Sequence, residues 1–128
     1  MHNPTLLIVD DTPLNIQILA ESLCSEYQIK ISTNGAEALQ IYELSHVDLV
    51  LLDVQMPEMD GYEVCRRMKS IAGKEGVPII FVTTNSTPED KAAGIEAGAV
   101  DYITKPVNLP MLRDRLKTHL ANIKEIQK

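Results

Sequence analysis

The sequence predicts a doubly wound α/β domain, five strands alternating with five helices around one parallel sheet. Three observations predict it. Short apolar runs recur along the whole 128-residue chain. Three of them, LLIV at 6–9, LVLL at 49–52 and IIFV at 79–82, are continuously apolar. Such runs mark strands buried on both faces of a sheet covered by helices. The stretches between the runs are amphipathic and mostly open on helix start signals. Strict alternation then implies right-handed βαβ units.

The first strand covers Leu6–Val9, and Thr12-Pro13 opens the helix behind it, a capping residue before proline at the first helical position. The second covers Gln28–Ser32. Asn34-Gly35-Ala36-Glu37 then resembles a capping box with Asn in place of Ser or Thr. The third covers Asp48–Leu52. Met56-Pro57-Glu58-Met59-Asp60-Gly61 follows as a turn in which Gly61 is expected to supply loose geometry, and GYEVCRRM is the next helix. The fourth strand covers Pro78–Val82. Thr87-Pro88-Glu89-Asp90 gives its helix a cap, a proline and two carboxylates for the macrodipole, and Gly98 stops it. The fifth covers Val100–Ile103, and Asn108 opens the last helix. That helix is expected from Leu109 to Lys128, with Leu112, Leu116, Leu120 and Ile123 on the inward face. Its end, NIKEIQK, is polar and has no stop signal. Residues 1–124 are therefore assigned to the domain and 125–128 to a C-terminal tail or the start of a linker helix.

The length suits one domain with a real core. Apolar residues make up 45% and charged residues 23%, an ordinary globular balance. A net charge of −6 makes the chain a poor binder of nucleic acid or anionic membrane, so neither is expected as a direct partner. MHNPTLLIVDD has no signal-peptide pattern, and no apolar run approaches membrane-spanning length; a cytoplasmic location is expected. Cys24 and Cys65 have no metal-ligand or paired spacing and read as small buried hydrophobes, compatible with a reducing compartment.

In an open parallel sheet, ligands bind beyond the carboxyl ends of the strands. Asp10 and Asp11 follow the first strand, Asp53 the third, Thr83 and Thr84 the fourth, and Lys105-Pro106 the fifth. Three carboxylates, a hydroxyl and an ammonium thus converge on one sheet edge. Carboxylates at close range repel unless a cation intervenes, and hard oxygen donors suit Mg²⁺. Helix capping alone would account for the aspartates but not for Lys105 or Thr83. No glycine-rich phosphate loop is present. His2, His46 and His119 fall away from this edge by chain order, which disfavours a zinc site or a His–carboxylate hydrolase.

At these residues the chain closely resembles the response regulator receiver family of two-component signalling. LLIVDDTPLN, DLVLLDVQMPEMDGYEVCRRMK, VPIIFVTT, EAGAVDYITKP and the closing helix carry the resemblance, which covers essentially the whole chain. It implies a single flavodoxin-like (βα)5 domain with the sheet in order 2-1-3-4-5. It implies Asp53 as phosphoryl acceptor and Asp10, Asp11 and Asp53 as Mg²⁺ ligands, with the Gln55 carbonyl as another and Mn²⁺ able to substitute. It further implies Thr83 as the switch hydroxyl, Lys105 as the phosphoryl-binding ammonium, a cis bond before Pro106 and Tyr102 as the aromatic switch. The partner implied is a sensor histidine kinase or phosphotransfer protein, and the only reactions of the chain are its own phosphorylation and dephosphorylation.

The chemistry fits those roles. A carboxylate is an adequate nucleophile toward phosphorus once charge on the incoming group is neutralised. The added phosphoryl charge and oxygens can bond Thr83 and Lys105, and movement of the Thr83 loop would vacate space for Tyr102. One position departs from the family. Thr84 stands where Ala or Gly is usual, and its bulk is expected to narrow access, giving a longer-lived phosphorylated state or slower phosphotransfer. Gln55 and Asn85 flank the same pocket, in position to place or exclude attacking water.

Three readings of the output stay open. The loop DTPLN and the ending DYITKPVNLPMLRDRLKTHL look like receivers joined to cyclic-di-GMP enzymes such as diguanylate cyclases. A stand-alone receiver acting on a partner protein is the second. The third, a small Mg²⁺ phosphatase, lacks its general acid, since Val54 and Gln55 follow Asp53 and no lid is inserted. A homodimer through the fourth-helix, fifth-strand, fifth-helix face is a further alternative. Asp101 and Arg115 would pair across it, or else be solvated surface charges.

Overall fold

The structure, a computed structural model, describes residues 3–126, with side chains described up to 122. Residues 127–128 of the expected tail, His2 and the side chain of Ile123 lie outside the described residues. The elements alternate without exception: β1 (Thr5–Val9), α1 (Pro13–Leu23), β2 (Gln28–Ser32), α2 (Gly35–Leu44), β3 (Leu49–Leu52), α3 (Gly61–Lys69), β4 (Ile79–Thr83), α4 (Pro88–Ala97), β5 (Asp101–Thr104) and α5 (Leu109–Ile126). The sheet is wholly parallel, in the order β2-β1-β3-β4-β5.

Alternate residues of the central strands enter two separate cores, because successive side chains point to opposite faces. Leu7, Val9, Val50, Leu52, Ile79 and Phe81 pack with Ala38, Tyr42, Val64 and Met68 of α2 and α3. Leu6, Ile8, Leu49, Leu51, Ile80 and Val82 pack with Leu19, Leu23, Leu112 and Leu116 of α1 and α5. The continuous apolar runs are thus strands covered on both sides. β2 alone among the first four strands is largely exposed, as an edge strand must be.

Most start signals act as the sequence predicts. Asn34 Oδ1 accepts from the Glu37 amide at 2.8 Å, Thr87 and Asp90 form a reciprocal capping box, and Asn108 Oδ1 accepts from the Met111 amide at 3.0 Å. Gly98 ends α4 in the left-handed conformation, with φ 115°. Thr12 differs. It occupies the cap position of α1, but its side chain makes no capping bond and its hydroxyl donates to Asp11 Oδ1 at 3.4 Å.

Other expectations are corrected. β3 starts at Leu49, because Asp48 turns its carboxylate back to accept the Thr5 amide at 2.7 Å. Each of β4 and β5 runs one residue later than expected. Cys24 is exposed at the end of α1, so only Cys65 is the buried hydrophobe; burial pushes its thiol up to about 11. In the turn after β3 the left-handed residue is Glu58, with φ 69°. Gly61 is needed there for close approach, since a Cβ would lie 2.1 Å from the Asp53 carbonyl oxygen.

Candidate functional site

The parallel register brings the strand ends into one row. Val9 pairs with Leu52, and Thr83 with Thr104, so the residues just beyond them share one edge. The Asp10 amide donates to the Ser32 carbonyl, the Asp53 amide to Val9 and the Lys105 amide to Thr83, which pins each functional residue by its backbone. The Lys105–Pro106 peptide is cis.

Lys105 reaches across the row. Its Nζ lies 2.7 Å from Asp10 Oδ2 and 3.1 Å from Asp53 Oδ2, and both carboxylates are buried. The other Asp10 oxygen accepts the Thr12 amide at 2.9 Å, and Asn15 Nδ2 donates to Oδ2 at 3.4 Å. Asp53 Oδ1 accepts the Gln55 amide at 3.3 Å. Burial disfavours the charge on Lys105, but its bonds to Asp10 and Asp53 outweigh that and raise its pKa above the ordinary lysine value. The ammonium is therefore permanent at neutral pH.

Asp10, Asp11 and Asp53 each offer an oxygen within 4.8 Å of the others. Three carboxylates against one ammonium leave an excess of two negative charges, held by oxygen donors only. A divalent hard cation fits that set in charge and in chemistry. A cleft of about 400 Å³ opens over it, lined by Asp11, Thr12, Asn15, Asp53, Gln55, Thr84 and Lys105.

Thr83 lies apart from this cleft. It is fully buried, and its hydroxyl accepts the Asn85 amide at 3.3 Å. The threonine that lines the cleft is its exposed neighbour Thr84. Asn15, Thr84 and Lys105 also wall a second, apolar groove of about 460 Å³, completed by Ile18, Leu19, Pro106, Val107 and Leu109. The site thus opens sideways onto α1 and the start of α5.

Tyr102 packs on Phe81 with ring centroids 5.7 Å apart, and its hydroxyl lies 3.3 Å from that of Tyr62. Burial, then the Tyr62 bond, then the charges of Asp90 and Asp53 raise its pKa. Sequence reading gave Tyr62 no role. It also left Asp101 and Arg115 as surface charges or partners across a dimer. In the single chain they pair with each other: Arg115 Nη1 lies 2.7 Å from both Asp101 oxygens, and His119 Nε2 lies 3.0 Å from Oδ2. Burial would raise the Asp101 pKa, but Arg115, His119 and the Tyr102 amide together hold it below the usual carboxylate value.

The profile of the response regulator receiver domain matches residues 6–117. A probable cyclic di-GMP phosphodiesterase of Vibrio cholerae is 49% identical over 92% of this chain and 27% of its own length. Response regulator PleD of Caulobacter vibrioides is 35% identical over 88% of this chain and 25% of its own. The chain thus spans about a quarter of each of these relatives. A CheY-like receiver domain protein from Methanospirillum hungatei superposes with a TM-score of 0.90 at 28% identity, covering 96% of this chain and 98% of that one. Among the described residues no helix is long and apolar enough to cross a membrane.

Proposed function

This chain belongs to the response regulator receiver family, and we propose that it is a Mg²⁺-dependent switch that accepts a phosphoryl group on Asp53 from a histidine kinase or phosphotransfer protein. The single observation that carries the reading is Lys105 Nζ lying between two buried carboxylates, with an oxygen of a third carboxylate within 4.8 Å of theirs. Capping or surface solubility explains none of that geometry.

Asp10, Asp11 and Asp53 would hold the cation, with the Gln55 carbonyl as a further ligand, and Mn²⁺ can replace Mg²⁺. A bound divalent ion supplies charge neutralisation for the oxygens of the incoming phosphoryl group. An Asp53 carboxylate oxygen attacks phosphorus. The P–O bond forms as the P–N bond to the donor imidazole breaks, and the released imidazole keeps the electron pair and takes a proton from solvent. Lys105 leaves Asp53 for a phosphoryl oxygen, an exchange of one anionic partner for another. The Thr83 hydroxyl, held by Asn85 before the reaction, turns to another phosphoryl oxygen and draws the start of α4 with it. Tyr102 follows. The chain turns over no external substrate; its chemistry is confined to its own phosphorylation and dephosphorylation.

The donor reaches Asp53 through the cleft, and the apolar groove beside it, with Ile18 half-exposed on α1, is the surface a donor protein packs against. Its output is a cyclic-di-GMP-related domain or partner, a reading supported by the Vibrio cholerae relative. The protein is cytoplasmic. A second copy would meet it on the α4–β5–α5 face, where Ile95, Val100 and Met111 are exposed.

Intact mass after incubation with acetyl phosphate, with and without Mg²⁺, tests the reading. A single Mg²⁺-dependent phosphoryl adduct that disappears in Asp53→Asn is expected. A folded wild type that takes up nothing with the metal present overturns it.

A further inference from the structure

Tyr62 makes contacts that packing alone does not require. It follows Gly61, whose Cα rests against the Asp53 carbonyl and whose amide donates to Val54 at 2.8 Å. The residue is thus anchored to the acceptor loop. Its ring meets Phe81 edge-on at 5.3 Å, and Phe81 is the register partner of Tyr102. Its hydroxyl lies 3.0 Å from the Asp90 carbonyl and 3.3 Å from the Tyr102 hydroxyl.

Each phenol has one proton, and a carbonyl only accepts. The Tyr62 proton therefore goes to Asp90, and Tyr102 donates to Tyr62. The result is a directed chain, β5 to α3 to α4. Asp90 is also the capping-box residue of α4, bonded both ways to Thr87. Gly94, one turn later, leaves room for the Tyr102 ring; a Cβ there would lie 2.8 Å from it. Three elements thus meet at one hydroxyl.

We propose that Tyr62 is the positioning residue of the switch: its hydroxyl seats Tyr102 and the first turn of α4 together, so that they rearrange as one unit. This rests on the reading of Asp53 as acceptor and Tyr102 as switch, and adds the part that joins them. Without the Tyr62 hydroxyl, Tyr102 loses its acceptor at this seat and the first turn of α4 loses its hydrogen bond to α3, while the Cys65–Ala97 bond still holds the far end of α4.

Hydrogen exchange on Tyr62→Phe, Tyr102→Phe and the double variant tests this, since each keeps its ring and its packing. In the unmodified chain, amides of α4 should exchange about fivefold faster in Tyr62→Phe, the shift expected for one lost hydrogen bond. Adding Tyr102→Phe to Tyr62→Phe should change little more, because the shared bond is already gone. Amides of β4 should be unchanged. Additive effects, no effect, or a rise spread equally over β4 would overturn the proposal. With acetyl phosphate and Mg²⁺, Tyr62→Phe should still form the adduct but lose most of the change in α4 exchange that phosphorylation produces in wild type. An equal change in both proteins overturns the proposal while leaving Asp53 as acceptor. A wild type without adduct removes the reading it rests on, and the double-variant comparison still decides the Tyr62 coupling.

Discussion

Asp11→Asn should stabilise the metal-free protein and destabilise it relative to wild type once Mg²⁺ is added. Asp11 is exposed and accepts the Thr12 hydroxyl, while the Lys105 ammonium goes to Asp10 and Asp53. Its charge is therefore opposed by two carboxylates, and among the described residues it forms no ion pair. At the 4.8 Å limit of the cluster, in the water-like dielectric fitting an exposed group, each such pair costs about 0.9 kcal/mol. Attraction to the more distant Lys105 and screening by salt offset part of the sum, which leaves about 1 kcal/mol. The variant should thus melt about 4 °C higher in chelator. With Mg²⁺ at about 100 times its Kd, wild type gains about 2.7 kcal/mol and the variant loses most of that gain. The order of stability inverts between the two buffers. Urea unfolding followed by circular dichroism, in chelator and in Mg²⁺, reads both halves. A variant no more stable than wild type in chelator, or gaining as much from Mg²⁺, would refute the electrostatic account of the cluster.

Thr84→Ala should lose its phosphoryl group several-fold faster than wild type, because Thr84 lines the cleft through which water must approach; equal rates by intact mass against time would remove Thr84 as the barrier. Asp101 has a lowered pKa, so its contribution to stability is present above the usual carboxylate value of 3.8 and is lost as pH falls below it. Asp101→Asn should accordingly flatten the acid limb of the stability curve below that value, and a limb unchanged in chemical unfolding at pH 5 and pH 3 would deny the link. Ile18→Asp should slow phosphotransfer from a histidine kinase at least tenfold while leaving uptake from acetyl phosphate within about twofold, since Ile18 lines the groove and not the carboxylate cleft. Equal slowing with both donors would place the fault in the site itself.

The alternation of β and α elements and the fold class were legible because apolar periodicity reports directly which faces are buried. Asp10, Asp11, Asp53 and Lys105 were legible as one cluster for a related reason: in a parallel sheet every strand end of one polarity lies on the same edge. Side-chain placement followed other rules. Lys105 meets Asp10 over a sequence separation of 95, and only the register of β1, β3, β4 and β5 sets that distance. Thr83 faces inward and Thr84 outward because neighbouring residues on a strand end point to opposite sides, and which of them reaches the cleft depends on the turn into α4. The Tyr62–Tyr102 bond spans 40 positions, and Arg115 pairs with Asp101 within the chain while its side chain stays partly exposed. Gly61 is needed because α3 starts against the Asp53 carbonyl, a contact with no trace in local pattern. Local sequence, by itself, determined the elements, their order and the strand-end acids, since burial and capping act over a few residues. Only the tertiary structure decided which donor meets which acceptor, because packing of distant elements sets rotamers and distances at those ends.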